Sequence, residues 1–406
     1  MIANVISRTR PTFLPFSPPT ISEEEIAAVA DTLRSCWITT GPKTRRFERR
    51  FADFIGVESA LALNSCTAGL HIALVTLGIG PGDEVITTPM TFCSSVNVIE
   101  HVGARPVLAD IEPDILAIAP ARVAEAITPR TRAIIPVHYG GHPVDLAPLL
   151  DLARAHNLYV IEDAAHALPA SYREQRIGTI GDFTAFSFYA TKNLTTAEGG
   201  MLTGAPDLIE QARVLSLHGM SRDAWKRYDG HSSWYYEVVA PGFKYNMTDI
   251  QAAIGLVQLQ RLETMQARRR EIVARYNAAF GQLDALETPT ERPDSVTAWH
   301  LYVLRLHLDR LTIDRARFIE ELRARNIGTS VHFIPIHLHP YYRDKYGFKP
   351  DDFPIAHREY QRVISLPLHP GLSDGDVDDV IAAVSDVVEW FRCSNAPSTF
   401  SPALSD

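Results

Sequence analysis

The sequence predicts an α/β protein with a large mixed, mostly parallel sheet and a second, smaller α+β domain. From residue 59 onward, short apolar runs alternate with amphipathic segments at helical spacing, which is typical of a parallel sheet covered by helices on both faces. One long helical segment at residues 249–283 ends this alternation, and a shorter mixture of strand and helix patterns follows it. A chain of 406 residues is long enough for two or more domains.

The N-terminal part precedes this alternation. Residues 1–13 have no apolar run behind their arginines, so we expect a flexible N-terminus and not a signal peptide. Residues 13–20, F-L-P-F-S-P-P-T, form a proline-rich arm that cannot be an interior strand, and such arms often lie over a partner subunit. Ser22 before three glutamates predicts a capped helix. Its apolar positions at helical spacing are Ile26, Val29 and Leu33.

The large domain is predicted to span residues 14–250. Its strands are expected at residues 60–63, 84–87, 105–108, 133–137, 158–161 and 184–189. Its further helices are expected at residues 44–55, 70–77, 94–101, 120–126 and 146–155.

The C-terminal part, residues 251–393, is predicted to contain the connecting helix and the small α+β domain. Its strands are expected at residues 301–308, 328–333 and 364–368, and its helices at residues 314–325 and 374–391. Residues 394–406 are rich in serine and proline and are predicted to be a disordered tail.

The composition excludes several classes of protein. A net charge of -9 argues against a general nucleic-acid surface, because phosphate binding needs clustered positive charge. No run of eighteen or more uninterrupted apolar residues occurs, so no membrane span is predicted. The four cysteines, Cys36, Cys66, Cys93 and Cys393, have no zinc-site or C-x-x-C spacing, and no metal site is expected. We interpret them as reduced thiols of a cytoplasmic protein.

A single lysine, Lys192, follows the strand predicted at residues 184–189. The carboxyl ends of parallel strands are where α/β sheets place their binding sites. Ser187 and Thr191 lie beside this lysine, and no carboxylate follows until Glu198. Because partial burial among apolar neighbours lowers a lysine pKa, Lys192 is a candidate Schiff-base amine. The alternative is a surface lysine at the end of a strand.

Three other motifs end predicted strands at the same edge. The helix that begins near Thr67 follows small and hydroxyl residues, which suits a phosphate group, although Ser and Thr are also ordinary helix caps. Glu162 or Asp163 would pair with a pyridine nitrogen, or would cap the next helix. Phe92 would stack on a flat heterocycle, or would belong to the core. The order of the four motifs along the chain, a phosphate turn, an aromatic residue, an acid and a lysine, is stronger evidence for a site at this edge than any one motif.

These motifs resemble the DegT/DnrJ/EryC1/StrS family of pyridoxal-phosphate-dependent (PLP-dependent) nucleotide-sugar aminotransferases, which have fold type I, the aspartate aminotransferase fold. The resemblance extends from about residue 13 to residue 391. It is carried by F-L-P-F-S-P-P, W-I-T-T-G-P-K, G-I-G-P-G-D-E-V-I-T, A-I-I-P-V-H-Y, V-I-E-D-A-A-H, K-N-L-T-T-A-E-G-G and P-G-F-K-Y-N-M-T-D-I-Q-A-A-I. Within the family, the sequence most resembles the UDP-4-amino-4-deoxy-L-arabinose aminotransferases.

The resemblance implies a role for each matching residue. Lys192 would bind pyridoxal 5'-phosphate (PLP) covalently and carry protons, and Asp163 would pair with the pyridinium nitrogen. Phe92 would stack on the ring, and His166 would approach its 3-hydroxyl group. The phosphate would be held by Cys66, Thr67, Ser187 and, from the neighbouring subunit, Asn246. The active sites would therefore be shared between the subunits of a homodimer.

The implied reaction moves an amino group from L-glutamate to a nucleotide-linked 4-keto sugar. A 3-keto sugar or a cyclitol ketone would undergo the same chemistry, and a non-catalytic regulatory protein would keep the fold without turnover. The presence of Lys192, Asp163 and Phe92 together argues against the regulatory alternative. Lys192 also disfavours the related dehydratases, which have a histidine at this position.

Substrate contacts are predicted from less specific motifs. Tyr189 stands where the family often has histidine, which weakens the assignment to the arabinose subgroup. The candidate substrate residues are Trp37, Thr39, Lys43, Tyr189, His332 and His337. Residues 219–236 are expected to form either a flap over a diphosphate or a solvated loop. No arginine has a context that marks it as the anchor of the glutamate carboxylate.

Overall fold

A computed structural model of the protein describes residues 9–220 and 236–393. Most of the predicted flexible N-terminus, most of the predicted flap and the predicted tail lie outside these residues. None of the described helices is both long enough and apolar enough to cross a membrane.

A seven-stranded sheet forms the centre of the large N-terminal part, with strand order β1-β9-β8-β5-β4-β2-β3. Its strands are β1 (Ala60–Leu63), β2 (Glu84–Thr87), β3 (Arg105–Leu108), β4 (Thr131–Ile135), β5 (Tyr159–Asp163), β8 (Phe183–Ser187) and β9 (Gly200–Gly204). All neighbouring pairs are parallel except the two that involve β9, which is antiparallel to β1 and β8. The predicted mostly parallel sheet is therefore confirmed.

Helices cover both faces of this sheet. They are α2 (Pro42–Ile55), α3 (Cys66–Thr76), α4 (Ser94–His101), α5 (Pro120–Ala126), α6 (Leu146–His156) and α7 (Pro206–Ser216). Helix α1 (Glu23–Arg34) precedes them and packs on the long helix of residues 249–280. Side chains alternate along each strand, so that Ile86 packs in one apolar cluster with α2 and α6, whereas Val85 packs in another with α3, α4 and α7. The sequence pattern did not predict β9 or α7.

Helix α8 (Asp249–Phe280) connects the two apolar regions of the chain. Its N-cap Thr248 accepts a hydrogen bond from the Gln251 N–H, and the Gln251 side chain accepts one from the Thr248 N–H. The first half of α8 packs in the cluster below the large sheet, and the second half packs in the small C-terminal core. The helix ends three residues earlier than predicted, before Gly281.

The small C-terminal part is built on a three-stranded antiparallel sheet of order β10-β12-β13. Its elements are β10 (Leu286–Glu287), β12 (Tyr302–Leu306), β13 (Val363–Leu366), α9 (Arg315–Ala324), α10 (Pro340–Tyr346), α11 (Pro354–Arg362) and α12 (Asp374–Phe391). A second small sheet joins β6 (Ser171–Tyr172), β7 (Gln175–Arg176) and β11 (Ser295–Val296). The strand predicted at residues 328–333 is wrong, because this segment makes only one isolated bridge, between Ser330 and Ser365.

The N-terminal arm packs on the small part of the chain. Arg10 forms ion pairs with two aspartates of α12, and Leu14 pairs with Ile327 and is buried in the small core. The division of the chain at residues 14, 250 and 393 stays a prediction.

Helix α1 buries a polar side and exposes most of its apolar positions. Glu25 and Thr32 are buried, whereas Ile26 and Leu33 are 54% and 53% exposed. The Glu25 carboxylate accepts hydrogen bonds from Gln258 and Arg261, so α1 packs on α8 through polar groups. Within residues 9–220 and 236–393, the apolar side of the helix is therefore exposed.

Candidate active site

A cavity of about 470 Å³ opens at the carboxyl edge of the large sheet. One wall is made of residues that follow strands β1, β2, β4, β5 and β8, as expected for the binding edge of a parallel sheet. The other wall consists of Phe16 from the N-terminal arm and residues 300, 301, 332 and 333 from the C-terminal part. Of the predicted site residues, the cavity is lined by Cys66, Thr67, Phe92, Asp163, His166, Ser187, Tyr189, Lys192 and His332.

Asp163 is the last residue of β5 and lines the cavity. Its Oδ2 accepts a hydrogen bond from the Ser95 hydroxyl at 2.7 Å, and its Oδ1 accepts one from the Ala165 N–H at 3.1 Å. The Thr91 and Ser95 hydroxyls lie 2.8 Å apart, so the donor to Asp163 is itself held in place. The carboxylate is only 4% exposed and has a fixed orientation.

Glu162 points away from the cavity. Of the two carboxylates that the sequence left as candidates, Asp163 is therefore the one that lines the cavity. Its Oε2 lies 3.0 Å from His138 Nε2, and its Oε1 accepts hydrogen bonds from the Gly181 N–H and the Thr184 hydroxyl. Successive side chains of a strand point to opposite faces of the sheet, so only one of the two acids can face the cavity.

Lys192 lies in the loop between β8 and β9 and lines the cavity. Burial lowers the pKa of its amine from 10.5 to about 8, although the nearby Cys66 and Asp163 act in the opposite direction. At pH 7 roughly a tenth of such an amine is neutral. The backbone of the loop is held by a hydrogen bond from the Lys192 N–H to the Tyr189 carbonyl oxygen, at 2.9 Å.

Helix α3 begins at the cavity wall with Cys66, close to the start near Thr67 that the motif predicted and before the apolar segment expected at residues 70–77. The Ser65 side chain caps it by accepting a hydrogen bond from the Ala68 N–H, and Cys66 and Thr67 are its first residues. The first N–H groups of a helix have no acceptor within the helix, so they can bind an anion. The Cys66 thiol points instead towards the Ala185 carbonyl oxygen, 3.4 Å away, and burial raises its pKa well above the ordinary value.

Phe92 and His166 also lie where the sequence analysis expected them. Phe92 is 60% exposed and lines the cavity, so its ring does not belong to the core. His166 is buried, and its Nδ1 accepts a hydrogen bond from the Gly140 N–H at 3.3 Å. Burial, with Lys192 and His332 nearby, lowers the pKa of His166 well below 6.5, so the ring is neutral.

Four predicted residues lie outside this cavity but close to one another. Lys43 is paired with Asp31 at 2.7 Å, while the Trp37 indole N–H donates to the Thr40 carbonyl oxygen. The Asn246 amide donates to the Thr40 hydroxyl at 2.6 Å, and the Thr39 carbonyl oxygen accepts the Asp249 N–H. Asn246 and the loop of residues 37–43 therefore form one surface of the chain.

The prediction that His337 contacts the substrate is wrong. Its side chain is fully buried, packs against Phe353 and does not line the cavity. The H-F-I-P-I-H segment contributes His332 and Phe333 to the cavity instead.

The structure adds site residues that the sequence analysis missed. Ser95 orients the carboxylate, while Phe16, His300 and Phe333 line the cavity. Their local sequences carry no catalytic motif, because each is brought to the site by long-range packing. The two serines that follow Phe92 and Cys93 are the one local feature that could have indicated a hydroxyl donor near the sheet edge.

This donor set fits PLP. A fixed carboxylate suits a pyridinium nitrogen, a lysine with a lowered pKa suits an aldehyde, a helix N-terminus suits a phosphate, and an exposed ring at the edge suits a flat heterocycle. The fold and the site together define a PLP-dependent enzyme of fold type I.

The chain belongs to the DegT/DnrJ/EryC1/StrS aminotransferase family, whose model matches residues 19–385. The predicted family, its type I fold, the aminotransferase activity and the PLP cofactor are thereby confirmed. The predicted arabinose subgroup is not confirmed.

Three relatives illustrate the similarity. The spore coat polysaccharide biosynthesis protein SpsC of Bacillus subtilis strain 168 is 55% identical over 379 residues, which cover 93% of this chain and 97% of SpsC. The "putative sugar aminotransferase Spr1654" of Streptococcus pneumoniae, solved in its PMP form, is 39% identical with a TM-score of 0.86, covering 93% of this chain and 98% of that one. It is also solved in its PLP form. Helicobacter pylori PseC, an aminotransferase involved in pseudoaminic acid biosynthesis, is 29% identical with a TM-score of 0.87, covering 94% of this chain and 100% of PseC.

Proposed function

We propose that this protein transfers the amino group of L-glutamate to a nucleotide-linked 4-keto sugar, giving a 4-amino sugar nucleotide and 2-oxoglutarate. One observation carries the proposal: a cavity of about 470 Å³ has Asp163 and Lys192 on one wall and uncharged imidazole and aromatic side chains on the other. The first wall suits the cofactor, and the second leaves room for a polar, uncharged ring. The descriptions of SpsC, which names a polysaccharide, and of Spr1654, which names a sugar aminotransferase, agree with a sugar substrate.

Bound PLP supplies an electron sink that stabilises negative charge on the carbon that loses a proton. Asp163 would accept a hydrogen bond from the ring nitrogen and keep that nitrogen protonated. The α3 N–H groups of Cys66 and Thr67, with the Ser187 hydroxyl, would hold the phosphate. Phe92 would stack on the ring, and His166 would donate a hydrogen bond from Nε2 to the 3-oxygen.

Lys192 performs two tasks in this proposal. As a neutral amine, it would condense with the aldehyde of the cofactor and release water. Once freed by the amino group of the substrate, the amine would accept a proton from the substrate carbon and donate it to the cofactor. Its lowered pKa serves both tasks, because a neutral amine is both the nucleophile and the base.

A panel of keto sugars tests the substrate. We expect glutamate-dependent amination of a UDP- or dTDP-linked 4-keto-6-deoxyhexose, with one 2-oxoglutarate formed per amino sugar, measured by mass spectrometry and NMR of the product. Amination restricted to 3-keto sugars or cyclitol ketones would show that the position of attack is different. A PLP-loaded protein that aminates none of them would favour the regulatory alternative.

We further propose a cytoplasmic homodimer with shared active sites. The exposed apolar side of α1 lies near the exposed Ile38, and this surface adjoins the loop of residues 37–43 and Asn246. A second copy that covers this surface would receive Asn246 at its phosphate site, and Trp37, Thr39 and Lys43 beside its substrate. The four unpaired cysteines agree with a reducing compartment.

Leu33→Asp tests the dimer. Placing a charge on the apolar side of α1 is expected to shift the protein to a monomer and to reduce amination at least about tenfold, because burying an unpaired charge in an interface is costly. Sedimentation velocity and the amination assay measure the two effects. Trp390→Asp, at the exposed end of α12, is the control and should remain dimeric. A Leu33→Asp variant that stays dimeric would place the interface elsewhere.

A further inference from the structure

His300 lines the cavity and is held by the residue next to the catalytic lysine. Both N–H groups of the Asn193 amide are used, towards the Leu168 carbonyl oxygen at 3.0 Å and the Ala298 carbonyl oxygen at 2.7 Å. The atom that Asn193 presents to His300 Nδ1, at 3.2 Å, is therefore its oxygen. Because an amide oxygen only accepts hydrogen bonds, His300 Nδ1 must carry the hydrogen.

The other nitrogen of His300 is consequently a hydrogen-bond acceptor. Burial lowers the pKa of His300 well below 6.5, and His166 and Lys192 lower it further, so the ring is neutral. A neutral imidazole has a single N–H, and Nε2 is left with a free lone pair. Among residues 9–220 and 236–393, no group donates a hydrogen bond to this nitrogen.

His166 has the opposite arrangement. Its Nδ1 accepts the Gly140 N–H, so in the neutral ring Nε2 carries the hydrogen. The two rings lie 4.4 Å apart between centroids, and both line the cavity. The cavity thus has a donor and an acceptor side by side, each fixed by a backbone or amide group behind it.

We propose that His300 Nε2 accepts a hydrogen bond from a hydroxyl group of the sugar, with Asn193 as its positioning residue. This inference rests on the proposed function. Apart from the amino group that reacts, L-glutamate presents carboxylate oxygens, which only accept hydrogen bonds, and the same holds for the phosphate of the cofactor. The hydroxyl groups of the nucleotide-linked sugar are donors, so His300 favours the sugar and disfavours the amino donor.

Two substitutions separate the two nitrogens of His300. In His300→Asn the amide nitrogen replaces Nδ1, which keeps the bond to Asn193 and removes the acceptor that faces the cavity. In His300→Gln the amide oxygen replaces Nε2, which keeps that acceptor and loses the bond to Asn193. The probe is the UDP- or dTDP-linked 4-keto-6-deoxyhexose with the highest kcat/KM in the panel.

The two half-reactions are measured separately. With L-glutamate alone, the rate at which each variant converts the bound cofactor from its aldehyde to its amine form is the reference against which its reaction with the sugar is compared. With the sugar, His300→Asn is expected to lose about ten- to a hundredfold in kcat/KM, the usual effect of one unmet buried hydrogen bond. His300→Gln is expected to lose less. Nitrogen NMR of ¹⁵N-histidine in the cofactor-free protein should show His300 protonated at Nδ1.

The possible outcomes distinguish a failure of the proposed function from a failure of the proposed role of His300. A wild-type protein that does not react with L-glutamate contradicts the proposed function itself. If the glutamate reaction proceeds but His300→Asn matches wild type with the sugar, or affects both half-reactions equally, the role of His300 is refuted while the proposed function stands. An NMR signal from His300 protonated at Nε2 also refutes it, even if a variant fails to fold.

Discussion

Lys192→Ala is expected to lower the rate of transamination more than about ten-thousandfold, because one amine supplies both the covalent attachment and the proton transfer. The sheet edge offers no substitute: among the described residues that line the cavity, Lys192 is the only lysine or arginine. The rate is measured from the absorbance of the cofactor after mixing the PLP-loaded variant with L-glutamate. The affinity of the variant for PLP should fall as well, but the phosphate and ring contacts should retain some binding.

Borohydride reduction of the wild-type enzyme identifies the lysine that binds the cofactor. Reduction should fix the cofactor to a single peptide that contains Lys192, as seen by mass spectrometry. Lys345→Ala is the matched control, because this lysine is paired with Glu100 on the surface and lies outside the cavity. Reduced cofactor on another lysine in the wild type, or full activity in Lys192→Ala, would contradict the assignment.

Lys192 and Asp163 could be predicted from the sequence because their positions follow from strand ends. Residues that end neighbouring parallel strands share one edge of the sheet, so local patterns were enough to bring them together. The sequence could not choose between Glu162 and Asp163, since that choice depends on which side of β5 faces the cavity. Glu162 forms hydrogen bonds with Thr184 of β8 and with His138, which follows β4, and these bonds hold it away from the cavity.

The errors in the predicted fold have physical causes. Strand β9 has the sequence G-M-L-T-G, whose two glycines favour a turn, yet it fits between β1 and β8. A Cβ at Gly200 would lie 2.6 Å from the Cys66 nitrogen. The start of α3 therefore packs so closely against β9 that this position has no room for a side chain. In α1, the periodicity correctly predicted an apolar side, but periodicity does not indicate which surface covers that side.

The roles of His300 and Ser95 could not be predicted from the sequence. Neither residue belongs to a motif that indicates chemistry, and both act through hydrogen bonds to residues far away in sequence. The function of Asn193 is equally invisible in the sequence, although it stands beside Lys192. The roles of such residues can be inferred only from the hydrogen-bond donors and acceptors that surround them in the structure.

Asp163→Asn is the second substitution with a large expected effect. An amide at this position can donate to the pyridine nitrogen and so favours its unprotonated form, which is a weaker electron sink. We expect the rate of the glutamate half-reaction to fall on the order of a thousandfold, as for loss of one preorganised electrostatic group. Thermal stability should change little, because the asparagine oxygen can still accept from Ser95 or Ala165. Stopped-flow absorbance and calorimetry measure the two quantities.

Glu162→Gln is the matched control, since it changes the adjacent carboxylate on the opposite side of the same strand. The Val144 N–H donates to His138 Nδ1, so His138 Nε2 carries the hydrogen that Glu162 accepts. With glutamine, one oxygen still serves Gly181 and Thr184, but the amide N–H group then meets the His138 N–H. This conflict should cost about 1–3 kcal/mol of unfolding free energy, while the glutamate half-reaction of the folded protein stays within a few-fold of wild type. The reverse pattern, a stable but inactive Glu162→Gln and an active Asp163→Asn, would show that the other carboxylate faces the cofactor.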